Sequence, residues 1–129
     1  MSDFKKDELE VLRILWAEPD LKPAEIQAKF HRDIENATLR SVLRALVSAK
    51  KLKRTKRGKA YHYRAAVSKQ GVLSNMAKRM AHVFADGSTS EFIAALVRAE
   101  KLSPEEIEEL KRVAVQAPSP ENDEDSEDE

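Results

Sequence analysis

Apolar residues recur at helical spacing along most of this chain, and prolines or polar runs separate the repeats. Leu9, Leu12, Leu15 and Trp16, with Val11 beside them, make one stripe over Lys5–Trp16, which predicts a first helix closed by Pro19. Trp16 belongs to that stripe, so its expected role is core packing rather than stacking on a base. Pro23 suits the first turn of a short second helix ending at Phe30, and Leu21 and Ile26 have the spacing of a hydrophobic staple. Lys22 falls at the cap position, where lysine is a poor cap, so that first turn should be weak. The polar run from His31 to Asn36 predicts a turn. A third helix is expected over about Ala37–Lys50. It should bury Leu39, Val42, Leu43, Leu46 and Val47 and expose Ala37, Arg40, Ser41, Arg44 and Ser48.

Two short helices, a polar turn and a longer helix follow the order of a helix-turn-helix. The pattern then changes to strands. Leu52–Thr55 and Ala60–Tyr63 read as a hairpin whose turn is Lys56-Arg57-Gly58-Lys59, with Gly58 supplying positive φ. Tyr61 and Tyr63 flank His62, so they share a face that is expected to pack on the third helix.

Three more helices follow. From Ser68 to about Phe84, Leu73, Met76, Met80 and Val83 repeat at a heptad-like spacing. Asp86-Gly87 breaks that helix, and Ser88 with Glu91 has the spacing of a capping box for a fifth, whose stripe is Phe92, Ile93, Leu96 and Val97. Leu102-Ser-Pro-Glu-Glu-Ile107 is a helix start, with Ser103 as cap, Pro104 at the first position, Glu106 at the third, and Leu102 and Ile107 as the staple. The sixth helix presents Ile107, Leu110, Val113 and Ala114. A domain complete at Arg64 has no need of these stripes, so they predict an intertwined helical dimer with Leu73, Met76, Met80, Val83, Phe92, Leu96, Ile107 and Leu110 at its interface, with packing back on the same chain as the alternative for the fourth-helix seam.

The fold class expected is therefore mainly α: an N-terminal winged helix-turn-helix, made of three helices and a short β-hairpin wing, followed by a C-terminal helical dimerisation domain. The boundaries expected are 1–66 for the DNA-binding domain, 67–117 for the three-helix domain and 118–129 for a disordered acidic tail.

Charge sharpens this reading. The formal net charge is zero, yet residues 1–70 hold 17 Lys/Arg against 9 Asp/Glu and residues 71–129 hold 6 against 14, a split of +8 and −8. Asn36–Arg64 alone carries ten Lys/Arg and no acid. A basic helix followed by a basic hairpin is a footprint for a polyanion. Thr38, Arg40, Ser41 and Arg44 are the candidate base readers: Arg suits bidentate contact with guanine, and Thr suits a thymine methyl or a phosphate. Lys53, Arg54, Lys56, Arg57 and Lys59 are the candidate phosphate holders, which set affinity and salt dependence rather than sequence preference. The blander alternative for each group is a solvated charged surface. A single-stranded stacking platform built on the two tyrosines is disfavoured, because one hairpin offers little area. Residues 118–129 hold seven acids and no Lys/Arg. They read first as a solubilising tail, with competition for the basic half as the alternative.

Other classes of function find little support. There are no cysteines and only three glycines, so thiolate chemistry and a phosphate-cradling glycine loop are excluded. His31, His62 and His82 fall in different elements without metal-ligand spacing. No metal, cofactor or catalytic residue is called for, and an enzyme is the least favoured class. No apolar run is long enough to span a membrane and the first residues are not of signal-peptide type, so a cytoplasmic location is expected. A protein-interaction adaptor using a winged helix without specific DNA binding is the alternative function; the cation density of Lys50–Arg64 argues against it.

The segments ELEVLRILW, ATLRSVLRALVSAKKL, RGKAYHYR and KLSPEEIEELKRV, in that order and spacing, resemble the penicillinase-repressor family (BlaI, MecI and CopY regulators) over about Glu8–Val113. The resemblance implies a winged helix with a helical dimerisation domain, binding a palindromic double-stranded operator as a homodimer and repressing transcription. It maps the polar reading positions to Thr38 and Ser41, around Leu39 and Arg40. Three departures stand out. Many members have Gly where this chain has Lys50. The copper-responsive branch binds metal through cysteines that are missing here. In the β-lactam branch a protease of a sensor pathway cuts an Asn-Phe bond in the fifth helix; counted back from Leu102-Ser103, that place is Ala95-Leu96. Such a protease is an implied partner whose target bond differs in this chain. The operator, the regulated genes and the inducing signal are not legible.

Overall fold

The computed structural model describes residues 4–116. Its elements run α1 (Lys6–Ala17), α2 (Pro23–Ala28), α3 (Asn36–Ser48), β1 (Leu52–Arg57), β2 (Ala60–Ala65), α4 (Lys69–Phe84), α5 (Thr89–Glu100) and α6 (Pro104–Ala114). The fold is mainly α, a winged helix-turn-helix followed by three further helices. It divides into two compact units, the first running to Lys69 and the second beginning at Gln70. Sequence reasoning put the boundary at 66/67. Val67 belongs with the first unit, because it packs on that core and its carbonyl accepts from Trp16 Nε1 at 2.9 Å. The acidic stretch 118–129 lies outside the described residues.

The first unit is built around α1 and α3. Leu12, Leu15, Ile26, Leu39, Leu43, Leu46 and Val11 are fully buried. At about 1.5–3 kcal/mol for each large side chain, they dominate what holds the unit together. The buried arc of α1 is wider than its sequence stripe. Ile14 is buried with Val11, Leu12 and Leu15, whereas Leu9 is only partly covered. On α3 the buried positions are Leu39, Leu43 and Leu46; Val42 and Val47 sit at the core margin. Trp16 packs partly buried against the core, with its N–H satisfied by Val67.

Glutamates three residues into the helix secure two weak starts. Lysine has no acceptor in its side chain, so neither Lys5 nor Lys22 caps in the usual way. Instead the backbone N–H of Lys22 donates to Glu25 Oε1 at 2.8 Å, and that of Lys5 to Glu8 Oε1 at 2.9 Å. Each is half of a capping box. Leu21 and Ile26 are both buried, as the staple requires.

The helix end at α3 is specific. Lys51 N–H donates to Leu46 O at 2.8 Å and Lys50 N–H to Val47 O at 3.0 Å. Those two bonds define a Schellman cap, and Lys50 occupies its left-handed position with φ +65°.

The wing is longer and its turn tighter than expected. β1 and β2 pair antiparallel from Leu52↔Ala65 to Arg57↔Ala60, which leaves Gly58 and Lys59 as a two-residue turn. Gly58 has φ +62°, a conformation that favours glycine. Leu21 adds an isolated bridge to Tyr63 through bonds of 2.8 and 3.1 Å, tying the segment before α2 to the wing.

The second unit has very little core of its own. Among its described residues only Val72 and Ala81 are buried, and α5 and α6 bury none. Its helices are nevertheless well started. Ser88 Oγ accepts from Glu91 N–H at 3.1 Å. Ser103 and Glu106 complete a reciprocal box at 3.1 and 2.8 Å, with Pro104 at the first helical position. Phe84 and Phe92 stack across the α4–α5 break, ring centroids 6.4 Å apart.

Candidate nucleic-acid interface

The exposed face of α3 follows from its buried one. With Leu39, Leu43 and Leu46 held in the core, Ala37, Thr38, Arg40, Ser41, Arg44 and Ser48 are all exposed. They do not point alike. At 3.6 residues per turn Thr38 and Arg40 lie about 160° apart, on opposite edges of that face. Ser41 lies on the edge toward the start of α1, in a cavity of about 550 Å³ shared with Lys5, Lys6, Asp7, Glu8 and Arg32. Arg40 lies on the other edge, toward the wing, and its Nε donates to Asn36 Oδ1 at 2.8 Å. Arg44 stands between them. Arg40 and Arg44, one turn apart, lie about 40° apart around the helix, and Asn36 holds the Arg40 guanidinium by its Nε.

Strand alternation divides the wing cations. In the observed register Leu52, Arg54 and Lys56 stand opposite Ala65, Tyr63 and Tyr61 and so share their face; Lys53, Thr55 and Arg57 share the other with Arg64, His62 and Ala60. All five candidate phosphate holders are exposed, but they are not one array. The Arg54 guanidinium stacks over the Tyr61 ring at 4.3 Å, with Lys56 Nζ at 5.8 Å. On the opposite face Arg57 is 3.7 Å from Asp20. The expectation that the tyrosine face packs on α3 needs correction, because β2 lies against α1 and α2 while α3 meets β1. Tyr63 is 6% exposed, but Tyr61 is 38% exposed because it lies beyond the edge of the core, where it serves as the platform for Arg54.

Sequence reasoning passed over Lys22, Asn36 and Tyr61 as parts of this surface. All three line a second cavity of about 330 Å³ together with Arg40 and Lys59. The i, i+4 spacing of Asn36 and Arg40 was a usable signal. Lys22 gave none, since its place depends on the Leu21–Tyr63 bridge.

Among the described residues one carboxylate, Glu10 on α1, is held off its ordinary range. Glu10 accepts two bonds from Arg13, at 2.6 and 3.1 Å, and His31 Nδ1 lies 3.4 Å away. The Arg13 hydrogen bonds, helped by His31, lower the Glu10 pKa, and burial opposes them only in part. The histidines stay apart: His31 in the turn after α2, His62 in β2, His82 in α4. Among the described residues no group of acids and histidines could hold a metal ion, and no helix is long and apolar enough to cross a membrane.

In the second unit, the positions expected at a dimer interface stay largely uncovered. Leu73 is 58% and Val83 71% exposed; Met76, Met80, Leu96 and Leu110 are each exposed by 40% or more. Phe92 and Ile107 are half-buried.

A winged helix whose third helix and wing, Asn36–Arg64, carry ten Lys/Arg and no acid has the character of a class of DNA-binding proteins. The sequence matches the model of the penicillinase repressor family over residues 5–116, and the chain belongs to that family of DNA-binding transcriptional repressors. Among solved structures, the crystal structure of Streptococcus pneumoniae FabT in complex with DNA is similar, at 19% sequence identity and a TM-score of 0.46, over 84% of this chain and 78% of that one. No curated protein matches the sequence.

Proposed function

We propose that this repressor acts in the cytoplasm as a homodimer on a palindromic operator. In this reading α3 enters the major groove, where Arg44, Ser41 and Thr38 read base edges, with Arg40 at the rim. The wing cations Lys53, Arg54, Lys56, Arg57 and Lys59 hold phosphates beside it. The observation that carries the reading is the exposed face of α3 beside the wing. Every ionisable side chain exposed there between Asn36 and Arg64 is basic or neutral.

Homodimerisation is supported by the apolar faces of α4, α5 and α6. Leu73, Met76, Met80, Val83, Leu96 and Leu110 form an uncovered set on helices with almost no core. Monomeric proteins rarely leave so large an apolar surface in water. A second copy would bury it and set two recognition helices at a fixed spacing.

Selection of bound sequences from a random duplex pool tests both parts at once. The expected result is a pair of inverted half-sites one helical turn, or a multiple, apart. Enrichment of unpaired single sites sinks the dimeric reading, and no enrichment over random DNA sinks specific recognition.

A further inference from the structure

Three elements of the first unit meet at the cavity of about 330 Å³: the residue before α2, the first turn of α3, and the wing turn with β2. Its lining includes Lys22, Asn36, Arg40, Lys59, Tyr61 and Tyr63, and no carboxylate. Three cations gathered on an acid-free concavity repel one another until an anion sits among them. None of the three has an ion pair among the described residues. Arg40 is already oriented. Asn36 takes its Nε, which leaves both terminal nitrogens to a ligand. Tyr61 brings two further cations to the same wing face, Arg54 at 4.3 Å and Lys56 at 5.8 Å from its ring centre.

The larger cavity beside α1 does not share this character. It gathers Lys5, Lys6 and Arg32, but Asp7 and Glu8 line it too, and Arg32 is bound to Asp7 at 2.5 Å.

We infer that the wing-side cavity seats a phosphodiester of the DNA strand that runs between the groove entered by α3 and the groove entered by the wing, held by Lys22, Arg40 and Lys59. The inference rests on the DNA-binding function proposed above and assigns a ligand to this one place in it. Adjacent grooves of a duplex are divided by a sugar-phosphate strand, so a helix and a hairpin set in neighbouring grooves must straddle one. The cavity lies between those two elements. Water occupies about 30 Å³ per molecule in the liquid, so the space suits a phosphate with part of its hydration shell. Arg40 then belongs to the strand-holding set rather than to the base readers, and Lys22 joins it.

The test is the affinity of the full chain for a random-sequence duplex over a salt series. Each phosphate contact contributes about 0.9 to the slope of log K against log salt. Lys22→Gln is expected to lower the slope by about that amount and to weaken random and selected duplexes alike. Its fold should survive, because the helix start uses the Lys22 backbone N–H and not the side chain; an unchanged melting curve checks this. Lys29→Gln, which removes an exposed cation of the same unit outside the cavity, should leave the slope unchanged. A Lys22→Gln slope equal to wild type, or an equal loss in Lys29→Gln, overturns the inference. Saturable binding of inorganic phosphate to the free protein, abolished in Lys22→Gln, overturns it in favour of a free-anion site. Wild-type protein showing no salt-dependent duplex binding refutes the DNA-binding function itself, a failure visible without any variant.

Discussion

Lys50 offers a stability test that the structure makes quantitative. It is an exposed residue at φ +65° in the Schellman cap of α3. A Cβ in the left-handed region costs roughly 1–2 kcal/mol, and glycine avoids that cost. Glycine in turn loses more unfolded-state freedom, by roughly 0.5–1 kcal/mol. The difference predicts that Lys50→Gly stabilises the first unit by about 0.5–1 kcal/mol. For a domain of this size, that is a rise of about 3–6 °C in melting temperature. The capping bonds from Lys51 N–H and Lys50 N–H are backbone bonds, so the substitution leaves them intact.

Thermal unfolding followed by circular dichroism, without DNA, is the assay. Lys50→Ala is the necessary companion, because it removes the same charge and the same exposed stem but keeps the Cβ. Alanine should melt close to wild type and glycine clearly above both. If glycine and alanine melt together, the gain is a charge effect in the crowded basic segment and the strain argument is refuted. If glycine melts below wild type, the left-handed cap is not the conformation of α3's end in solution.

Further outcomes are expected from other parts of the molecule. Arg44→Ala should erase preference between the selected operator and random duplex, whereas Lys56→Ala should weaken both alike, as mobility shifts would read out; equal losses on the two duplexes in Arg44→Ala would remove it from the reading set. Glu10 has a folded pKa below the ordinary value of 4.5, with Arg13 the main cause. Its contribution to stability is therefore full above that ordinary value and lost as pH falls through the folded one. Glu10→Gln should accordingly melt below wild type at neutral pH and converge with it in acid, and a gap that persists at the lowest pH would contradict the assignment. Leu73→Glu with Val83→Glu should yield monomers in sedimentation velocity and a large loss of operator affinity; an intact dimer would place the interface elsewhere. Ser103→Ala should cost about 1 kcal/mol of α6 stability, since it removes the hydroxyl that accepts from Glu106 N–H, while the backbone N–H of residue 103 keeps its bond to Glu106 Oε1.

What could be read from sequence followed the local signals. Helical spacing located α1, α3 and α4 within one or two residues, because an apolar stripe on one helix, covered as on α1 and α3 or uncovered as on α4, is set by that helix's own sequence. Ser103-Pro104 gave the start of α6 for the same reason. The misses share a different cause. Ile14 is buried because α1 is covered over more than one stripe's width, which only the packing of α2, α3 and the wing determines. Tyr61 and Tyr63 share a strand face as alternation demands, yet one lies inside the core edge and the other outside it. Lys22 looked like a bad cap and nothing more, since the glutamate that starts its helix and the wing that approaches it are both invisible at the level of one residue.

The charge pattern shows the same limit at the site. Ten cations in Asn36–Arg64 announce a polyanion, but their count does not say how they divide the work. The division comes from three backbone facts: the helical turn that separates Arg40 from Thr38, the strand register that parts Arg54 and Lys56 from Lys53 and Arg57, and the Leu21–Tyr63 bridge that draws Lys22 to the wing. Each is a consequence of burying an apolar residue: Leu39 on α3, Leu52 and Tyr63 in the wing, Leu21 before α2. The surface proposed to meet DNA is thus arranged by the core beneath it. Truncating Leu21 to Ala, which removes a buried side chain without touching any cation, should therefore loosen the Lys22 contact along with the fold. A variant that lost stability but kept the wild-type salt slope would show that the bridge does not position Lys22.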